Sequence, residues 1–292
     1  MREPVKNMGA SVRARLLSLA KERNQPHELL LTRFALERLL YRLSTSKHRE
    51  RFVLKGAMLM TTWFEEPFRP TRDLDLLGFG DADPQGMLAV FREICAVEEN
   101  DGVVFDAAGL AVDFIREELE YGGLRIKTNA TVGGARVRVV IDIGFGDALE
   151  PAASELELPV LLDLPAPRLR AYPRVTVIAE KFQAMVALGR ANSRMKDLYD
   201  IWLLSRTYDF TGDGLARAIA ATFARRKTPI PMEPPYALTP AFAEDAAKRQ
   251  QWVSFAESID AKVSALTVVV KELAAFLMPH AEKARNYSKV TG

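Results

Sequence analysis

The chain has 292 residues, 48% of them hydrophobic, enough for one large or two ordinary globular domains with true cores. Lys and Arg number 40 against 38 Asp and Glu, and the resulting net charge of +2 excludes a global attraction to nucleic acid or membranes, leaving local patches to bind any polyanion. One cysteine, Cys95, and three scattered histidines, His27, His48 and His280, exclude a disulfide framework and a cysteine-rich metal site and disfavour zinc, so a protein of the reducing cytoplasm is predicted.

No apolar run approaches the roughly 18 residues that span a bilayer, so no membrane partner is expected. The opening stretch MREPVKNMGASVRARLLSLAKE is amphipathic and carries acids, unlike a secretory leader. Over residues 11–43 apolar side chains recur at helical spacing (Leu16, Leu17, Leu19, then Leu29, Leu30, Phe34, Leu36, Leu39, Leu40), and RNQPHE divides them into two helices. RFVLKGAMLMTTWF reads as a strand ending at Lys55-Gly56, a tight turn and a helix. RDLDLLGFG is a strand, and DPQGMLAVFREICAVE, with Pro84 near its start, is a helix that buries an inert Cys95.

GLRIKTNATVGGARVRVVIDIGFGD contains two β-type runs flanking VGGA, a hairpin signal. In its second strand a period of two places Arg136, Arg138, Val140 and Asp142 on one face and Val137, Val139, Ile141 and Ile143 on the other. Beyond LDLPAPRLRAYP the composition turns helical. TPIPMEPPYALTP is a loop between helices, AFAEDAAKRQQWVSFA and AKVSALTVVVKELAAFLM are the last two helices, and EKARNYSKVTG is expected to fray. The expected fold is mixed α/β: an N-terminal sheet with flanking helices over residues 1–165 and a helical domain over residues 166–292, with the active site between them.

FRPTRDLDLLGFG poses the chemical question. In a strand Asp73 and Asp75 share one face and Leu74 and Leu76 the other. Two carboxylates about 5–6 Å apart repel by roughly 3 kcal/mol at an effective dielectric of about 20. Such a pair persists if it is solvated on an edge strand, protonated, or bridged by a cation. A magnesium-type ion prefers oxygen ligands and shares itself between one or two carboxylates, waters and a substrate phosphate. Upstream, the Lys55-Gly56-Ala57 turn offers backbone N–H groups suited to phosphate. Asp142 supplies a third carboxylate if its strand lies alongside, and Lys55, Arg69 and Arg72 add local positive charge. Three carboxylates, phosphate-binding backbone and basic side chains meet the needs of two-metal phosphoryl or nucleotidyl transfer.

KGAMLM followed by FRPTRDLDL resembles the nucleotidyltransferase superfamily signature, in which a small-residue pair precedes a D-x-D. More closely, it is similar to the AbiEii/AbiGii toxin family, whose first motif runs lysine, two glycines, a leucine-bearing helix and an R-x-T-x-D-x-D element; Arg69, Thr71, Asp73 and Asp75 stand at those places. VVIDIGFGD resembles the second motif, with Asp142 as its acid, and AEKFQAMVALGR and RMKDLYDIWLL resemble the third and fourth. The resemblance spans roughly residues 50–205. Two departures stand out: Ala57 replaces the second glycine or serine, so no hydroxyl reaches the nucleotide there, and Lys196 stands where arginine is more usual.

The resemblance implies a metal-dependent enzyme transferring NMP from NTP, with two magnesium ions on Asp73, Asp75 and Asp142, and the nucleotide held by Gly56, Ala57, Arg69, Thr71 and Lys181. Asp142 would help activate the acceptor hydroxyl. By residues alone Lys181 reads as a solvated helix lysine, and Asp197 and Asp200 as helix acids capped by Ser193. The resemblance places Lys181 and Asp197 in catalysis and leaves Asp200 structural, with Tyr199 and Trp202 in the core. It also implies the toxin of a toxin–antitoxin or phage-defence pair, with a cognate antitoxin protein, acting on the 3′ acceptor end of tRNA as the family's tRNA-modifying members do, so that aminoacylation and translation are blocked. Arg125, Lys127, Arg136, Arg138, Arg190 and Arg194 are the candidate RNA contacts. Nucleotidylation of a polypeptide is the alternative. GFGDAL lacks the third glycine of a dinucleotide fingerprint, and KDLYD has no kinase Gly-rich loop or D-F-G around it.

Overall fold

The computed structural model describes residues 7–64, 71–115, 123–259 and 263–288. The chain divides into two compact units, Met1–Gly146 with Ser154–Ala171, and Asp147–Ala153 with Tyr172–Gly292. The first opens with α1 (Met8–Glu22) and α2 (His27–Thr45), then β1 (Phe52–Lys55), a 3-10 turn (Gly56–Leu59), the single-turn α3 (Met60–Trp63), β2 (Asp73–Gly78) and α4 (Pro84–Cys95). It continues with β3 (Val103–Phe105), β4 (Ala111–Ile115), β5 (Gly123–Val132), β6 (Ala135–Phe145), β7 (Ser154–Glu157) and β8 (Arg168–Ala171). The strands form one mixed sheet in the order β3-β5-β6-β2-β1-β8-β7, with β4 also against β5.

Alternation decides which face of this sheet is covered. Leu74 and Leu76 of β2, Ile141 and Ile143 of β6 and Ile126 of β5 are fully buried, and α2 packs over β5, β6 and β8 with Leu36, Leu39 and Leu40. Each such side chain contributes about 1.5–3 kcal/mol by leaving water. The β5–β6 hairpin turns at Gly133 and Gly134, both with positive φ (52° and 83°), as a two-residue hairpin turn requires. A Cβ on Gly133 would lie 2.2 Å from the Gly9 carbonyl, so this glycine also lets α1 seat against the hairpin. Cys95 is buried, which pushes its thiol up to about 12, in keeping with the inert role expected.

One buried charge anchors the unit. Arg42 on α2 donates to both carboxylate oxygens of Asp101 (2.6 and 3.1 Å) and to the carbonyls of Val97, Val103 and Arg38. The two side chains are only 2% and 4% exposed. Arg42→Ala would remove the paired cation of buried Asp101, leaving it the Val103 N–H and the field of Arg38, and urea unfolding is expected to show a loss of about 3–5 kcal/mol.

The second unit contains α5 (Arg174–Leu188), α6 (Met195–Thr207), α7 (Gly214–Arg225), α8 (Pro240–Glu244), α9 (Ala246–Ser258) and α10 (Leu266–Ser288). α5 and α10 pack on α7, with Phe182 against Phe223 at 5.4 Å between ring centroids. Three expectations need correction. The predicted helix AFAEDAAKRQQWVSFA is two, because Asp245 leaves helical dihedrals and caps α9 through the Lys248 N–H. The expected frayed tail, residues 282–292, is helical to Ser288, where Ala284 is fully buried and Arg285 donates to the Pro231 carbonyl at 2.7 Å; residues 289–292 lie outside the described residues. RLRA, read as part of a divider, is β8, parallel to β1. Among the described residues no helix is long and apolar enough to cross a membrane.

Candidate active site

β2 lies between β1 and β6, so the D-x-D pair does not sit on a sheet edge. In the parallel β2–β6 register Asp75 aligns with Asp142, and in the antiparallel β1–β2 register Lys55 aligns with Asp75. Residues aligned across a sheet share a face. Asp73, two residues before Asp75, therefore joins Asp75 and Asp142 on the face opposite the Leu74–Leu76 core, with Asp73 exposed and the other two half-buried. The structure thus brings all three predicted acids onto one sheet face.

Gly56 is locked to this group. Its φ is +74°, and a Cβ there would lie 2.0 Å from Oδ2 of Asp75 and 2.6 Å from its Cγ. The lysine-glycine step and the D-x-D element are thus parts of one contact. Gly56→Ala is expected to cost about 1–3 kcal/mol from backbone strain alone and to displace Asp75, lowering both melting temperature and activity. The segment beyond Gly56 is a 3-10 turn running into the four-residue α3, not the longer helix expected. Phosphate affinity there would rest on turn N–H groups, including that of Ala57, because so short a helix has little macrodipole. Thr71 uses its hydroxyl to donate to the Asp73 carbonyl (2.9 Å), shaping the strand entry. Arg69 lies outside the described residues.

A residue with an unexpected place is Arg125. Its Nε donates to Asp142 Oδ1 at 2.7 Å and its Nη2 to Oδ2 at 2.6 Å, a two-pronged pair. These hydrogen bonds raise the guanidinium pKa against the opposing effect of desolvation, and the charges of Asp142, Asp73 and Asp75 add to them. One cation therefore lies in the field of all three acids. The signal was present in the sequence: Asp142 lies seven residues after Ala135 and Arg125 seven before Val132, so a two-residue hairpin aligns them.

The donor set is hard oxygen, which suits a magnesium-type ion. Among the described residues no three carboxylates or imidazoles converge closely enough to hold one ion between them. Asp73 and Asp75, with waters and a substrate phosphate, nevertheless meet the usual requirement of one or two carboxylates, while the Asp142 oxygens are engaged by Arg125.

Lys181 and Asp197 belong to the second unit. Lys181 Nζ on α5 donates to Asp197 Oδ1 at 2.6 Å and lies 2.9 Å from Asp200 Oδ2, both on α6. Side-chain exposures of 15%, 6% and 2% exclude the solvated-lysine alternative. The i, i+3 spacing turns both aspartates toward α5, so Asp200 shares the ion pair rather than serving elsewhere. Ser193 does not cap α6; the helix starts at Met195 with Arg194 at its cap position and no side-chain cap, while Asn192 accepts the Arg194 N–H at 2.9 Å. Tyr199 is in the core as expected, and half-buried Trp202 donates from its indole to Glu272 at 2.7 Å.

The predicted RNA contacts divide. Arg136 and Arg138 are exposed and enter no ion pair among the described residues. Lys127 pairs with Asp113 at 2.5 Å, Arg190 stacks over the Tyr236 ring at 4.9 Å, and Arg194 lies 4.0 Å from Asp197.

Comparison with known proteins adds three findings. The family described as "Nucleotidyl transferase AbiEii toxin, Type IV TA system" matches residues 38–278. Among solved structures the chain is similar to JHP933 from Helicobacter pylori (13% identity, TM-score 0.49, covering 91% of this chain and 97% of that one). It is also similar to a candidate nucleotidyltransferase from H. pylori (14% identity, TM-score 0.46, covering 91% and 99%). No curated protein matches the sequence.

Proposed function

Because the chain belongs to the AbiEii nucleotidyl transferase toxin family of type IV toxin–antitoxin systems, we propose that it transfers NMP from an NTP to the 3′ acceptor end of tRNA. The observation that carries this reading is the register that sets Asp75 beside Asp142, with Asp73 on the same face and Gly56 against the Asp75 carboxylate. Asp73, Asp75 and Asp142 are the residues that would hold two magnesium ions, which when bound would neutralise charge developing on the phosphoryl oxygens.

The rest of the chemistry falls to the chain's own groups. The turn N–H groups at Gly56 and Ala57 bind phosphate oxygens. The acceptor hydroxyl oxygen attacks the α-phosphorus, the new O–P bond forms, the bond to the bridging oxygen breaks, and pyrophosphate leaves. Asp142 takes the hydroxyl proton. Lys181, oriented by Asp197 and Asp200, is the cation assigned to the nucleotide phosphates. Arg136 and Arg138, in no ion pair among the described residues, offer positive charge on the face that carries Asp142, suited to an RNA backbone. A cognate antitoxin protein limits the activity, which is exerted in the cytoplasm.

The test is incubation of the purified protein with magnesium, each α-labelled NTP in turn, total tRNA and a protein extract. Label on tRNA is the expected result. Label confined to polypeptide would replace this acceptor with a protein target.

A further inference from the structure

The carboxylate face carries its own cation. Arg125 and Asp142 stand on adjacent strands in fixed register, so their backbones stay together whatever the side chains do. The two-pronged pair engages both oxygens of Asp142. A ligand oxygen committed to a guanidinium is a poor ligand for a second cation, and the positive charge repels a divalent ion approaching Asp73 or Asp75. Arg125 does not need to stay: its side chain is 41% exposed, and turning it outward opens no core. The other acid aligned with it, Asp113 on β4, is already paired with Lys127. A planar guanidinium released beside carboxylates that hold divalent ions finds partners of matching geometry in the phosphate oxygens of a bound nucleotide.

We infer that Arg125 exchanges partners during the catalytic cycle: it is the counter-ion of Asp142 in the free protein and a nucleotide phosphate ligand once divalent ions have taken Asp142. The inference rests on the proposed nucleotidyltransferase site. It gives Asp142 two successive partners, the Arg125 guanidinium and a divalent ion. It also makes metal and nucleotide binding mutually supportive, because each removes the obstacle to the other.

Manganese is a convenient probe, since its binding is read by electron paramagnetic resonance without turnover. In the absence of nucleotide, Arg125→Ala should bind Mn2+ about tenfold more tightly than wild type, the size expected for loss of one unit charge nearby in a half-solvated site. At saturating Mn2+, the same variant should bind a non-hydrolysable α,β-methylene NTP analogue about tenfold more weakly, with Arg125→Lys between the two because it keeps charge without the fork. Should Arg125→Ala not fold, Arg125→Gln keeps the side-chain volume and carries the same comparison. Mn2+ affinity equal to or weaker than wild type, or unchanged analogue affinity, overturns the partner exchange. Mn2+ binding that Asp73→Asn with Asp75→Asn does not weaken overturns the metal site itself, and the exchange with it.

Discussion

Asp73→Asn together with Asp75→Asn is expected to lower nucleotidyl transfer by about a thousandfold or more while changing the melting temperature little. The two readouts separate because these carboxylates take no part in the core of their strand. The buried side chains of β2 are Leu74, Leu76 and Leu77, whereas Asp73 is exposed and Asp75 half-buried. Neutralising the pair relieves their mutual repulsion but gives up part of their attraction to Arg125, and the two effects offset in folding. Asparagine keeps the shape of each side chain, including the contact of residue 75 with Gly56, and removes only the charge. Label incorporation and a thermal melt on the same preparation check both halves. A collapsed melting temperature would mean that the acids serve structure.

Lys181→Met is expected to cost as much stability as Arg42→Ala. It would leave Asp197 and Asp200, 6% and 2% exposed, without the ammonium that lies 2.6 and 2.9 Å from them. Removing one partner from a buried ion pair costs about 3–5 kcal/mol. Two carboxylates then face the same pocket, so adding Asp197→Asn to Lys181→Met should restore part of the loss by removing one stranded charge. Chemical denaturation of the single and double variants measures this. If the double variant is no more stable than the single, the charges are not what makes Lys181 necessary.

Much of this was legible because backbone periodicity is strict. The period of two separated Asp142 from Ile141 and Ile143, and the VGGA turn fixed the hairpin, so the acid face followed once β6 paired with β2. That pairing is parallel and joins residues some 67 positions apart (75 and 142), a distance over which local pattern carries no information. The shortness of α3 and the strand RLRA were missed for related reasons. Four residues are too few to show a period, and β8 is defined by its neighbours β1 and β7 rather than by its own composition. The helix through Ser288 was missed because Pro279 and a polar tail suggest an end, whereas the buried alanines 281 and 284 reward continuation. Lys181 and Asp197 were named from the resemblance; their common burial with Asp200 is a tertiary fact that no spacing encodes.

The central claim is that the acid face performs nucleotidyl transfer, and parallel reactions with α- and γ-labelled NTP test it most directly. The account predicts acceptor labelling from the α-position only, with one pyrophosphate released per nucleotide added and no transfer by the Asp73→Asn, Asp75→Asn protein. Acceptor labelling from the γ-position, or labelling that survives loss of both aspartates, would contradict it.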